Sequence, residues 1–231
     1  MTNLTQQNTD IDQFFEFHLK VLKLLLNGEE FSDIAKNHKQ KMIELDYIDI
    51  AKRSMLSFDS EGTLIGAYPI SLNKSPYKVK VEGIGEGYSM CAVDALGVAY
   101  TFNAKTTIVT KDFSTNERIE IIIDPRLEKQ KVQDFVVTYG GNFENDGESC
   151  DLVPALSLCP TIHFYSNPEN IENSESINII SFDKALKSAK DQFSISALKS
   201  CVSNSIEKNS ESTTESKIIS ADCCNSESSI C

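Results

Sequence analysis

Apolar residues crowd the start of the chain at helical rather than strand spacing. From Ile11 to about Asn27, Phe14, Phe15, Phe17, Leu19, Val21, Leu22, Leu24, Leu25 and Leu26 recur densely enough for a helix with a wide apolar face, ended by Asn27-Gly28. A second helix is expected after Phe31, with Ser32 or Asp33 as its cap, and a third over Lys39 to Asp49. The pattern then changes period. Met55 to Tyr68 reads as strand, turn, strand, with Asp59 to Gly62 at the bend, so residues 1–68 form a helical, winged-helix-like lobe.

From Pro69 the pattern is mostly β. Tyr77 to Val81 alternates with period two, Thr106 to Val109 is β-branched, and Arg118 to Ile123 and Asp134 to Thr138 have the composition of sheet strands. Between them Tyr88 to Phe102, rich in Ala, Met and Leu, reads as a helix beginning near Ser89. The apolar Val153 to Leu158 leads into Cys159, His163-Phe164-Tyr165 continues as a short strand or turn, and Ser181-Phe182-Asp183 opens a last helix. Residues 69–199 therefore make a mixed sheet and helix core, and the fold class is α+β. After about Ser200 the chain turns to Ser, Asn, Thr and Glu, which bury too little apolar surface to offset ordering entropy; residues 200–231 are expected to be a disordered, flexible tail ending in ADCCNSESSIC.

Charge narrows the partners. Twenty-two Lys and Arg against 34 Asp and Glu leave a formal charge of −12, which disfavours nucleic acid because that affinity rests on cations displacing phosphate counterions. The third helix, with Lys39, Lys41, Glu44, Asp46 and Asp49, has the mixed charge of a solvated face and not of a DNA reader. No run reaches the roughly 20 apolar residues that span a bilayer, and the polar, acidic start lacks the basic and apolar parts of a signal peptide. A cytoplasmic protein with no membrane partner is expected. In that reducing compartment the seven cysteines are read as thiols and not as a disulfide framework.

Two cysteines stand in chemically suggestive settings. Cys91 and Asp94 are three residues apart, which on a helix places a thiol and a carboxyl on one face, near the positive end of the macrodipole that favours a thiolate. The same spacing serves a buried cysteine beside a surface aspartate. Cys159 precedes Pro160, whose fixed φ and missing N–H make a rigid break that can hold a side chain toward a cavity. His163 is close enough in sequence to add a metal ligand, although a lone His between Ile162 and Phe164 is more often a satisfied core residue. The glycine-rich EGIGEG before Cys91 lacks the spacing of a dinucleotide loop and is read as a flexible turn.

The run FDSEGTLIGAYPISLNKSPYKVKVEG, then YSMCAVDALG, and later LCPTIHFYSNPENIEN together resemble the alkylmercury lyase (organomercurial lyase) family, over roughly residues 15 to 195. The resemblance implies a winged-helix-like N-terminal part and a mixed β-sheet and helix core of the alkylmercury lyase type. It places the family's two catalytic cysteines on Cys91 and Cys159 and its catalytic aspartate on Asp94. A further structural cysteine that family members often carry about twenty residues after the first is missing from TTIVTKDFSTNE.

What the resemblance implies is protonolysis of R–Hg⁺, a small organomercurial substrate: two thiolates hold the soft metal, Asp94 delivers the proton that releases R–H, and Hg(II) is left on Cys91, Cys159 and Asp94. No cofactor is implied, but free low-molecular-weight thiols are needed for turnover. Cys223, Cys224 and Cys231 on the tail are either incidental or a hand-off site that passes Hg(II) to a mercuric reductase, while Cys150 and Cys201 have no expected catalytic part. The alternative is a non-enzymatic thiolate binding or delivery protein for Hg, Cu(I) or As(III), which needs the cysteines but not Asp94. A metal-responsive DNA-binding regulator conflicts with the charge.

Overall fold

The computed structural model describes residues 3–52, 55–128, 130–131, 134–140, 159–171, 177–200 and 202–203. The chain is α+β, and its sheets are antiparallel. The tail from 204 onward and the apolar stretch Val153 to Leu158 lie outside the described residues. No helix among the described residues is long and apolar enough to cross a membrane.

Helix α1 (Asn3–Leu26) starts earlier than the apolar spacing indicates, and its inner face buries Phe14, Phe15, Val21, Leu22 and Leu26. His18, on the same helix and fully buried, meets the Tyr47 hydroxyl through Nδ1 at 2.8 Å. Burial lowers its pKa to about 4 against the opposing pull of the Tyr68 backbone, so the ring is neutral at physiological pH. Helix α2 (Phe31–Asn37) is preceded by Glu30, which makes no side-chain cap, and the expected caps Ser32 and Asp33 fall inside its first turn. The single helix expected over Lys39 to Asp49 is two: α3 (Lys39–Glu44) and α4 (Tyr47–Ala51), separated where Asp46 adopts φ 48°. Aspartate tolerates this left-handed conformation better than most residues. The break is followed by Tyr47, wholly buried, stacked on Phe14 at 5.4 Å and edge-on to Phe17 at 5.1 Å.

The hairpin β1 (Leu56–Phe58) and β2 (Leu64–Ala67) forms where the alternation puts it, its bend held by Asp59 Oδ1, which accepts the amides of Glu61 and Thr63. It continues into β3 (Ile70–Ser71), β4 (Tyr77–Val81), β5 (Gly85–Ser89), β6 (Thr106–Lys111) and β7 (Arg118–Ile123), giving one seven-stranded sheet in the order β1-β2-β3-β5-β4-β6-β7. The hairpin of the N-terminal part thus shares hydrogen bonds with strands beyond Pro69. Strict alternation of buried and outer positions in β4, β6 and β7 gives the sheet one packed face.

Two expectations are corrected here. The glycine-rich segment before Cys91 is a turn only in its first half, residues 82–84, where Gly83 takes φ 71°; from Gly85 it forms β5, paired to both β3 and β4. Gly85 is required there because a Cβ would run into the Leu26 carbonyl at the end of α1. Because β5 claims Tyr88 and Ser89, helix α5 (Ala92–Phe102) begins three residues later than its composition indicates.

A second sheet, β10-β8-β9, is built from β8 (Val136–Gly140), β9 (Phe164–Tyr165) and β10 (Ile177–Ser181). Strand β8 starts two residues after Asp134, and β10 carries no signal in the sequence reading. Helix α6 (Phe182–Phe193) is capped as expected by Ser181, whose hydroxyl accepts the Lys184 amide, but residues 195–200 are helical again, so it is not the last. Helix α5 lies between the large sheet and α6, and nearly all its residues are buried.

The tightest point of that packing is Gly97, where a Cβ would overlap the Phe193 ring. Alanine gains about 1 kcal/mol of helix propensity over glycine, yet overpacking of this kind costs roughly 1–3 kcal/mol. Gly97→Ala should therefore lower the urea midpoint at an unchanged m-value; an equal or higher midpoint would show that α5 and α6 are not in close contact there.

Candidate active site

Cys91 does not lie inside α5; it is the residue that caps it. Its extended backbone (φ −145°) turns the thiol back over the first turn, where Sγ accepts the Asp94 amide at 3.4 Å. The spacing of three that suggested a shared helix face is instead the spacing of a cap and the amide it satisfies. Asp94 follows in the first turn, and because α5 is covered by the sheet on one side and α6 on the other, the residue is only 4% exposed. The surface aspartate left open by the sequence is excluded.

Cys159 arrives from the other end of the core. Cys159–Thr161 form a single 3-10 turn whose position is set by β8: the Thr138 hydroxyl donates to the Thr161 carbonyl at 2.7 Å, and the Gly140 amide donates to the Thr161 hydroxyl at 2.9 Å. The turn is then tied to the head of α5. The Ile162 carbonyl accepts the Ala92 amide at 3.2 Å and the Tyr77 hydroxyl at 3.1 Å. One carbonyl thus fixes the two cysteine segments relative to each other.

The result is a compact cluster. The sulfurs of Cys91 and Cys159 and a carboxylate oxygen of Asp94 all lie within 4.8 Å of one another, and all three residues are buried. Cys159 Sγ donates to Asp94 Oδ2 at 3.5 Å. Both cysteines are free thiols. The Tyr68 hydroxyl stands 3.9 Å from Cys159 Sγ.

Electrostatics reverse one expectation. The helix N-terminus does favour a Cys91 thiolate through the Asp94 amide, but burial outweighs it and drives the Cys91 pKa well above the ordinary thiol value; the nearby Cys159 and the Asp94 charge push the same way. Burial also raises Asp94, to about 7, while hydrogen bonds from Cys91 and Cys159 pull it part of the way back. The phenols of Tyr68 and Tyr77 are pushed upward too, first by burial and then by the acidic groups beside them. In the empty site Cys91 therefore keeps its proton, and Asp94 exchanges its own near neutral pH.

A family model described as MerB, alkylmercury lyase, matches residues 70–188, a span containing all three clustered residues. The chain belongs to the alkylmercury lyase family. Comparison with curated proteins finds no match. Among solved structures, one titled "Crystal structure of the mercury-bound form of MerB2" is similar at 17% identity and a TM-score of 0.48, covering 84% of this chain and 99% of that chain.

Within this alkylmercury lyase family member, His163 belongs to the scaffold and not to the cluster. Its Nε2 meets the Pro160 carbonyl and its Nδ1 the Tyr77 hydroxyl, each at 2.7 Å, and its ring stacks on Phe113 at 3.8 Å. Cys150, Cys201, Cys223, Cys224 and Cys231 lie outside the described residues. Sequence reasoning missed Tyr68 and Tyr77. Tyr77 opens the alternating strand at an inward position, a signal that marks it as core but not as a neighbour of the cysteines; Tyr68 has no comparable signal.

The raised Asp94 pKa has a stability consequence. Between the unfolded value near 3.8 and the folded value of about 7 the folded state binds the extra proton, so stability is full at low pH and falls as pH rises across that window. At about 1.4 kcal/mol per pH unit the loss is at most roughly 4 kcal/mol. Asp94→Asn, which keeps the shape without the charge, should flatten the decline and leave the variant more stable than the parent above pH 7 in urea titrations. Parallel pH profiles for the two proteins would show that Asp94 is not held protonated by burial.

Proposed function

We propose that this protein cleaves the carbon–mercury bond of organomercurials by protonolysis, with Cys91 and Cys159 as the mercury ligands and Asp94 as the proton carrier. The observation that carries the reading is the buried grouping of two free thiols and a carboxyl within 4.8 Å of one another. Mercury is a soft cation that prefers sulfur over oxygen or nitrogen, so paired thiols suit it. A carboxyl held near pKa 7 suits the proton, because an acid–base group works best when its pKa lies near the working pH.

The steps balance without a redox partner. The first thiol binds R–Hg–X, its proton passes to the Asp94 carboxylate, and X⁻ leaves. The second thiol then binds mercury, and its proton leaves with X as HX. Finally the Asp94 carboxyl gives its proton to carbon: the electron pair of the C–Hg bond becomes the C–H bond, R–H departs, and Hg(II) remains on the two sulfurs beside a regenerated carboxylate. Burial disfavours the Cys91 thiolate in an empty pocket, and the charge of an entering cation offsets that cost, so Cys91 can ionise on loading. Free small thiols would then carry Hg(II) away, and Cys223, Cys224 and Cys231 of the tail would relay it to a mercuric reductase.

Incubation with methyl- or phenylmercury and excess thiol should release methane or benzene, measured in the headspace. Asp94→Ala, Cys91→Ser and Cys159→Ser should each cut release by about 100-fold or more, in the range of a lost acid–base catalyst. Unchanged release in any of the three would remove that residue from the mechanism. Tight mercury binding by the parent protein with no hydrocarbon would instead support a soft-metal binding or delivery protein.

A further inference from the structure

The three clustered groups are not equally placed toward the outside. A cleft of about 280 Å³ opens between β2, the 75–77 segment and Pro160, and of the three only Cys159 lines it. Cys91, 1% exposed, and Asp94 lie behind. Ile65, Pro76, Tyr77, Met90 and Pro160 give the cleft a mainly apolar wall, and Ser71, Asn73, Ser75 and His163 complete it. Met90 is pressed against the β2 backbone, where a Cβ on Gly66 would stand 2.6 Å from its Sδ. The absence of a side chain at Gly66 thus leaves room for Met90 to lie flat along the wall.

We propose that Cys159 is the thiol that first takes the organomercurial, that the organic group rests in this apolar cleft, and that Met90 sets how large a group is accepted. The volume falls just below the roughly 300–1,000 Å³ of pockets for drug-sized ligands, which suits one aromatic ring or a short alkyl chain. This rests on the lyase reading and gives it an order. Cys159–SH and R–Hg–X form Cys159–S–Hg–R, the thiol proton passing to Asp94 Oδ2, its hydrogen-bond partner at 3.5 Å, and X⁻ leaving. Cys91 binds second, from the side of mercury away from the cleft. Apolar walls favour the hydrocarbon part without competing for the metal, and the thioether of Met90 is itself a soft, adaptable surface.

Irreversible thiol labelling separates this proposal from the question of turnover. The full-length protein would be treated with N-methylmaleimide or N-phenylmaleimide, quenched, and digested, and each cysteine-containing peptide quantified by mass spectrometry. Cys159 should be labelled at least about ten-fold faster than Cys91 by both reagents. Met90→Phe should lower the phenyl-to-methyl rate ratio at Cys159 several-fold and Met90→Ala should raise it, the methyl reagent serving as the internal reference for a perturbed fold. Benzene-to-methane release ratios in the same variants should move in the same directions. Faster labelling of Cys91, or a ratio indifferent to both Met90 substitutions, would overturn the proposal. If the labelling pattern holds but the parent protein releases no hydrocarbon, the lyase reading fails while the entry order stands.

Discussion

Removal of the Asp94 carboxyl and the Cys91 thiol from water is the constraint on which the site depends. Helix α5 is apolar on nearly every face because it is sandwiched between the large sheet and α6, and a carboxyl on such a helix has no route to solvent. Placing an ionised carboxylate there is costly, so Asp94 is raised to about 7 and Cys91 above its usual range, with burial the leading cause in both. The charge of a metal cation reverses that balance. A folded state that is penalised for each anion when empty is well matched to a cationic guest, and the penalty is a local loss of stability of the kind active sites commonly carry.

Geometry does the rest, and it comes mainly from backbone groups. The cap at Cys91 is satisfied by the Asp94 amide, so the first cysteine is oriented by the start of its own helix. The second is oriented by a 3-10 turn that β8 holds through Thr138 and Gly140. The Ile162 carbonyl joins the two through Ala92 and Tyr77. Sixty-five residues of chain separate Asp94 from Cys159, yet few links intervene in space, each a hydrogen bond from an element with its own place in the core. Tyr77 contributes twice, since its hydroxyl also meets His163, whose ring in turn stacks on Phe113.

Much of this was legible in the sequence where periodicity and local chemistry agreed. The strands Tyr77–Val81 and Arg118–Ile123, the Asp59 bend and the Ser181 cap were all readable because each depends on neighbours a few residues away. The start of α5 was not, because the Ala-rich composition favours a helix from Ser89 while pairing of Ser89 with both Ile70 and Tyr77 claims that residue for the sheet. The split at Asp46 was hidden for the same reason: the helical pattern continues through it, and what breaks it is a tertiary demand around Tyr47. Cys91, Asp94 and Cys159 could be nominated from spacing and family resemblance, but their burial could not, and burial reverses the expected effect on the Cys91 thiol. A helix N-terminus acts on a thiol through one amide; exclusion of water acts through the whole surrounding core.

The family match begins at residue 70, after the helices and the hairpin, and its span holds both cysteines and the aspartate. Ile65 and Tyr68 fall before it, yet one walls the cleft and the other stands beside Cys159. The end of the hairpin is anchored from the N-terminal side: His18 on α1 is hydrogen-bonded to Tyr47 and acted on by the Tyr68 backbone, so α1, α4 and the residue after β2 are packed together. The clustered thiols and carboxyl therefore belong to the matched core, while part of the cleft wall belongs to the segment preceding it. Two parts of a chain that answer to different demands can change separately, so under the lyase mechanism proposed above the N-terminal helices would have a physical route to substrate choice without touching a reacting atom.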